Sequence, residues 1–137
     1  IASEFKSYNF STFGLIHPGE SSGYSLTDQD KKICYLLDNE FNKTQNTNLI
    51  KFCENSDFII WDGMFTENEL KTKKGWGHSS IEQGLKFAED LDLKKIIISH
   101  HAPDRTDDQI EKISAKYTNS NLIFAQENKE ISFYGKT

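Results

Sequence analysis

Four side chains able to hold a divalent metal, His17, Asp38, Asp62 and His100, each follow directly on an apolar, strand-like run. If those strands point the same way, all four lie along one sheet edge. Ligand sites in α/β layers form outside the carboxyl ends of strands, where loops converge on a rigid frame. Neutral imidazole suits zinc, manganese or iron, and a carboxylate can bridge two such ions, the arrangement a two-metal hydrolase uses to hold attacking and leaving oxygens in line. His78, ahead of Ser79-Ser80, and the only arginine, Arg105, in His100-His101-Ala102-Pro103-Asp104-Arg105, are further candidates. Each also has a plainer reading. A histidine or aspartate after a strand commonly serves a turn, and His78 could simply precede a helix cap. Alternation along a strand turns the adjacent His100 and His101 in opposite directions, so His101 should face away from the others. Lys71, Lys73 and Lys74 read as a solvated loop, and Asp107 and Asp108 as first-turn acids favoured by a helix dipole.

The elements that must position these residues alternate along the chain. Phe10 to Ile16 reads as a strand running into His17-Pro18-Gly19, and Gly23 to Thr27 pairs with Lys32 to Leu37 across the polar turn Asp28 to Lys31. Leu49, Ile50 and Cys53 recur at helical spacing over Thr47 to Glu54, and Asp57 to Trp61 is a short buried strand. A polar, lysine-rich loop spans Thr66 to Gly77. Ser79 or Ser80 caps the clearest helix, with Glu82 or Gln83 as capping-box partner and Ile81, Leu85, Ala88 and Leu91 as its apolar stripe, closing near Asp92. Lys94 to Ser99 is a buried parallel-type strand. A last helix starts at Thr106, and Leu122 to Ala125 and Ile131 to Tyr134 form a strand pair.

Length and composition narrow the class. The 137 residues make one domain or part of one. At 36% hydrophobic and 27% charged the chain is globular rather than disordered, and its longest aliphatic run, Ile96 to Ile98, is far too short to cross a bilayer. A net charge of −5 argues against a general nucleic-acid surface. Cys34 and Cys53 give neither a disulfide framework nor a CxxC metal motif, which suggests a reducing, cytoplasmic compartment. The start at Ile1, with Met64 the only methionine, reads as a cut in a longer chain.

Taken jointly, five segments resemble the carboxyl-terminal half of the metallo-β-lactamase-fold hydrolases. They are His17-Pro18-Gly19 with Gly23-Tyr24; Tyr35-Leu36-Leu37-Asp38; Asp62-Gly63-Met64-Phe65-Thr66; Lys74-Gly75-Trp76-Gly77-His78-Ser79-Ser80; and Ser99-His100-His101-Ala102-Pro103-Asp104-Arg105-Thr106-Asp107-Asp108. The branch most similar is that of the phosphoribosyl cyclic phosphodiesterases and ribonuclease Z. The resemblance implies an α/β fold, half of a four-layer αββα arrangement with a mixed sheet and helices on one face. It makes His17 a ligand of one metal, Asp38 the bridge between two, and His100 a ligand of the other. His78 becomes the acid that protonates the leaving oxygen and Asp62 a carboxylate orienting a histidine. Apart from the resemblance, the lone Arg105 is expected to reach the same phosphate, beside the amino end of the helix that follows His78. Two divalent ions are implied, zinc first, with manganese or iron as alternatives.

The family's principal metal motif, His-x-His-x-Asp-His, is nowhere in the chain. Residues 1–137 then correspond to the carboxyl-terminal half alone, and an amino-terminal half or a second chain is the expected partner, covering an otherwise bare apolar sheet face. The expected activity of the complete enzyme is phosphodiester hydrolysis on small cyclic or nucleotide-like substrates, with neither a membrane nor a nucleic-acid partner. Two alternatives stand beside it: a tRNA 3′-end processing endonuclease, and a catalytically silent interaction module with a relic site.

Overall fold

The computed structural model describes residues 8–118 and 121–132. Six strands form one mixed sheet in the order of the sequence: β1 (Tyr8–Leu15), β2 (Ser21–Asp28), β3 (Lys31–Leu36), β4 (Phe58–Asp62), β5 (Lys95–Ser99) and β6 (Leu122–Phe124). The first three are antiparallel neighbours, and β3 to β6 run parallel. Helices α1 (Lys43–Cys53) and α3 (Ile81–Asp90) lie in the β3–β4 and β4–β5 connections, the latter preceded by the short α2 (Glu67–Leu70). α4 (Asp107–Ser114) and a 3₁₀ turn (Ala115–Tyr117) lead to β6. Among the described residues no helix is long and apolar enough to cross a membrane.

Strand alternation gives the sheet two unlike faces. Cys34, Leu36, Ile59, Trp61, Ile96 and Ile98 point to one side and join Leu49 and Cys53 of α1, Ile81 and Phe87 of α3 and Ile113 of α4 in a single buried cluster. Both cysteines are buried and free. The other side carries Phe10, Tyr24, Leu26, Ile33, Tyr35 and Ile60, which line an open apolar trough. Phe10 is 63% exposed there. A mixed sheet with helices on one face, as the sequence implied, is therefore what the chain forms.

The elements differ from the sequence reading where local chemistry outweighs apolar periodicity. α1 begins at Lys43 because the Asn42 side chain accepts from the N–H groups of Thr44 and Gln45, an N-cap upstream of the first apolar repeat. The segment read as a loop contains α2, closed by a capping box between Thr66 and Glu69. Ser80 is the cap of α3, with Gln83 as its partner. β6 adds in parallel to β5. Ile131 and Ser132 lie in no strand, and Phe133 and Tyr134 of the expected strand pair fall outside the described residues.

Trp61 joins sheet to helix. Its indole N–H donates to the Ser80 carbonyl at 3.0 Å, and its ring packs against Phe41 and Phe87. Gly84 of α3 lies directly over it, so that a Cβ there would fall 2.6 Å from Trp61 Cδ1. Gly84→Ala sets a helix-propensity gain of about 1 kcal/mol against overpacking of roughly 1–3 kcal/mol. The expected result is a lower melting temperature by calorimetry; an increase would show that the indole has room to move.

Candidate functional site

β3, β4 and β5 run parallel, so the residues after them emerge at one edge. Asp38 and His100 both take left-handed backbone conformations there, with φ of 55° and 58°. Such turns are uncommon outside glycine but most accessible to Asp, Asn and His, and they bend each side chain back over the strand ends. His17 reaches the same place from the β1–β2 turn. Its Nε2 lies 3.7 Å from Asp38 Oδ1, and His100 Nε2 lies 3.8 Å from the same oxygen. The rings of His17 and His78, and of His78 and His100, meet edge to face with centroids 5.4 and 5.0 Å apart.

Asp62, at the end of β4, is completely buried beneath this group. Its Oδ1 accepts from the Met64 N–H, and its Oδ2 accepts from the Asn39 N–H at 3.3 Å. The same oxygen meets Nδ1 of His78 at 2.9 Å and Nδ1 of His100 at 3.3 Å. A carboxylate only accepts, so both imidazoles carry a proton on Nδ1 and present Nε2 outward. The Asp62 hydrogen bond raises the His100 pKa above the ordinary histidine value against the opposing effect of burial, and the charges of Asp62 and Asp38 add to it. One ligand atom each from Asp38, Asp62, His78 and His100 falls within 4.8 Å of the others, a group dense enough to hold a cation. Since Asp62 already accepts four hydrogen bonds, the imidazole Nε2 atoms and Asp38 are the free donors. His17 differs: its Nδ1 accepts from the Gly19 N–H at 3.3 Å, which puts the neutral ring's proton on Nε2, so that contact must break and the proton move to Nδ1 before Nε2 can ligate.

Arg105 has partners of its own. Its guanidinium does not join the imidazoles; Nη2 donates to the Met64 carbonyl at 3.0 Å and to Glu69 Oε2 at 2.9 Å. Burial pushes the Glu69 carboxyl up, yet hydrogen bonds from Arg105 and Thr66 outweigh it and hold the pKa below the usual 4.5. His101, as expected, turns aside and stacks on Phe124 of β6.

Several residues that sequence reasoning passed over build the site. Asn39 Oδ1 accepts from the Ile16 N–H and the Gln45 side chain, tying the His17 strand to α1. Ser79 donates to the Asn39 carbonyl and accepts from the Phe41 N–H. The Glu40 carboxylate accepts from the N–H groups of Gly75 and Gly77 at 2.8–2.9 Å, holding the loop that carries His78. The Thr66-x-x-Glu69 spacing and the glycines flanking Trp76 were legible signals; nothing in the spacing of Asn39 or Glu40 announced them.

Gly77 has φ of 90°, and a Cβ on it would lie 2.3 Å from His17 Cδ2 and 2.6 Å from Pro18 Cδ. Gly75 has φ of 83° and open space around it. Gly75→Ala should therefore cost only the left-handed backbone term, about 1–2 kcal/mol. Gly77→Ala should cost distinctly more and shift the His17 imidazole resonances in NMR spectra; equal losses would mean that His17 is not held by this contact. A second measurement concerns pH. A depressed Glu69 pKa contributes stability above pH 4.5 that disappears as pH falls through the folded-state value. The wild type should therefore be more stable than Glu69→Gln at neutral pH, with the difference closing in acid; a constant difference from pH 7 to 3 would remove the ionic account.

Comparison with known proteins agrees with this architecture. The Beta-lactamase superfamily domain matches residues 4–101. Ribonuclease BN of Proteus mirabilis (strain HI4320) is 28% identical over 102 residues, spanning 71% of this chain and 32% of that protein. Human tRNase Z, short form, superposes with a TM-score of 0.73 at 21% identity, over 94% of this chain and 44% of that one. The metallo-beta-lactamase fold protein YhfI from Bacillus subtilis gives 0.70 at 17% identity, over 88% and 48%. The chain thus spans 32% to 48% of the length of these relatives. With most of its length matched by the family and its sheet superposing on proteins of that fold, this chain belongs to the beta-lactamase superfamily domain family.

Proposed function

We propose that this chain is the carboxyl-terminal half of a binuclear metal-dependent phosphodiesterase acting on small cyclic or nucleotide-like substrates. The observation that carries the reading is the convergence of His17, His78 and His100 on Asp38, with the imidazoles of His78 and His100 oriented from below by Asp62. The donor set fits a divalent cation: imidazole nitrogen and carboxylate oxygen suit zinc, and also manganese or iron. His17, Asp38 and His100 would hold the ions, with Asp38 between them. Bound divalent ions supply Lewis-acid stabilisation of the charge that develops on phosphate oxygens.

The remaining chemistry belongs to the side chains. In its doubly protonated form His78, with Nδ1–H held by Asp62 and Nε2–H turned away from it, would deliver the Nε2 proton to the leaving oxygen and be left neutral with its proton on Nδ1. Glu40 and Gly77 set the height of His78 above the strand ends. Three ligands are fewer than two ions require, and one sheet face is bare and apolar. Both features favour an amino-terminal half or a second chain as the partner that completes the site and covers that face.

Processing of tRNA 3′ ends is the second reading, favoured by the named activities of the tRNase Z and ribonuclease BN relatives. Against it stand the net charge of −5 and the β2–β3 hairpin, which fills the interval between His17 and Asp38 and leaves no room there for an RNA-binding arm.

Two variants of the complete protein separate the roles. His78→Ala should lower turnover on a diester with a poor leaving group by roughly 10²- to 10⁴-fold while metal content holds. Asp38→Ala should lose metal and activity together. Near wild-type turnover in His78→Ala would end the acid assignment. The isolated 137-residue chain should hold metal weakly and show no diesterase activity; two tightly bound ions per chain by metal analysis would overturn the half-site reading.

A further inference from the structure

A cavity of about 400 Å³ opens beside the imidazole cluster, between α2, the Gly75–Gly77 loop and the segment after His100. We propose that it is a nucleobase subsite in which Trp76 is the stacking platform and the Arg105–Glu69 pair reads the base edge. This rests on the phosphodiesterase reading and adds to it the class of group attached to the phosphate.

Trp76 is 55% exposed, whereas the other tryptophan, Trp61, is buried. The exposed indole is not loose: the Lys73 ammonium lies 3.9 Å from its ring centroid and Phe65 meets it edge to face at 6.4 Å. Phe65 also meets His78, at 6.2 Å. Through that one shared ring the cavity adjoins the group placed to protonate a leaving oxygen, as a base joined to a sugar phosphate requires. Met64, Phe65 and Pro103 add apolar wall beside Trp76. An ordered, half-open indole in a cavity of this size is suited to a flat aromatic ligand, since base stacking on such rings is strong and tolerant of base identity.

The polar lining narrows the ligand further. Lys73 and Arg105 are offset by Glu69 and Asp104, so the cavity offers no net positive charge for a second phosphate and favours a neutral group. The Arg105 side chain is only 8% exposed, with Nη2 committed to Glu69 and the Met64 carbonyl. Its buried Nε has no hydrogen-bond partner among the described residues. At the cavity wall the polar groups a base edge would meet are the Arg105–Glu69 pair, whose carboxylate side chain is 41% exposed. Glu69, Asp104 and Gln109 supply acceptors for exocyclic amino groups. A neutral planar group that both accepts and donates at its edge is a nucleobase rather than a plain hydrocarbon ring.

The test measures binding of AMP and of ribose 5-phosphate to the complete protein by calorimetry, with Trp76 emission as a second signal. AMP should bind more tightly than ribose 5-phosphate by about 5- to 100-fold and should quench the emission. Trp76→Ala should abolish most of that preference and Trp76→Phe should restore a large part of it, with unfolding curves confirming that both variants fold. Equal affinity for the two ligands in the wild type, or a preference untouched in Trp76→Ala, would overturn the proposal. Hydrolysis separates it from the reading beneath it. A protein that prefers AMP through Trp76 yet cleaves no cyclic phosphate keeps the subsite and loses the phosphodiesterase assignment. One that cleaves nucleoside 2′,3′-cyclic phosphates and a base-free ribose cyclic phosphate with equal kcat/KM keeps the assignment and loses the subsite.

Discussion

The organisation of the strand-end surface depends on one buried carboxylate. Asp62 closes the central strand β4 with no solvent exposure, a position in which an uncompensated charge would be prohibitive. It is compensated by two backbone N–H groups and two imidazoles, contributed by the turn after β3, the turn after β4, the loop before α3 and the end of β5. Removing a partner from such a group typically costs about 3–5 kcal/mol, so the stability of the fold and the orientation of the histidines are the same requirement. The His78 and His100 rings are thereby fixed by Asp62, with their Nε2 atoms on the side of the ring away from it.

Around that centre the loops hold each other more than they are held by the core. Asn39 reaches both the His17 strand and α1, Ser79 returns to the Asn39 carbonyl, and Glu40 grips the glycines on either side of Trp76. Gly77 closes this ring by packing on His17 where a larger residue would not fit. The same loop places His78 over Asp62 and Trp76 at the mouth of the neighbouring cavity, so one set of backbone contacts positions both side chains.

The sheet carries a second asymmetry, between a face sealed by three helices and a face lined by Phe10, Tyr24, Leu26 and Tyr35 that is open to solvent. Exposed apolar area of this extent is characteristic of a surface made to be covered. It lies on the sheet whose ends bear His17, Asp38 and His100, and the chain spans less than half the length of the human tRNase Z and YhfI structures it superposes on.

Residue type and spacing alone were enough to indicate the α/β class, the buried strands over Asp57 to Trp61 and Lys94 to Ser99, the Ser-capped helix after His78, and the prospect that His17, Asp38 and His100 meet. Those features are local: apolar period, cap chemistry and the rule that strand ends in parallel sheets share an edge. What the local signals could not contain is how distant backbone groups find one another. The anchoring by Asn39 and Glu40 spans 23 to 37 residues, leaves no periodic trace, and exists only because the parallel strands bring those loops to one edge. The sequence offered Arg105 as a candidate without showing that its guanidinium hydrogen-bonds Glu69. The capping box that starts α2 holds that carboxylate 36 residues away in sequence and within a hydrogen bond in space. Sequence determined which residues could act; tertiary structure decided which of them face the ligand and which hold the others in place, because a buried charge must take whatever partner the fold delivers.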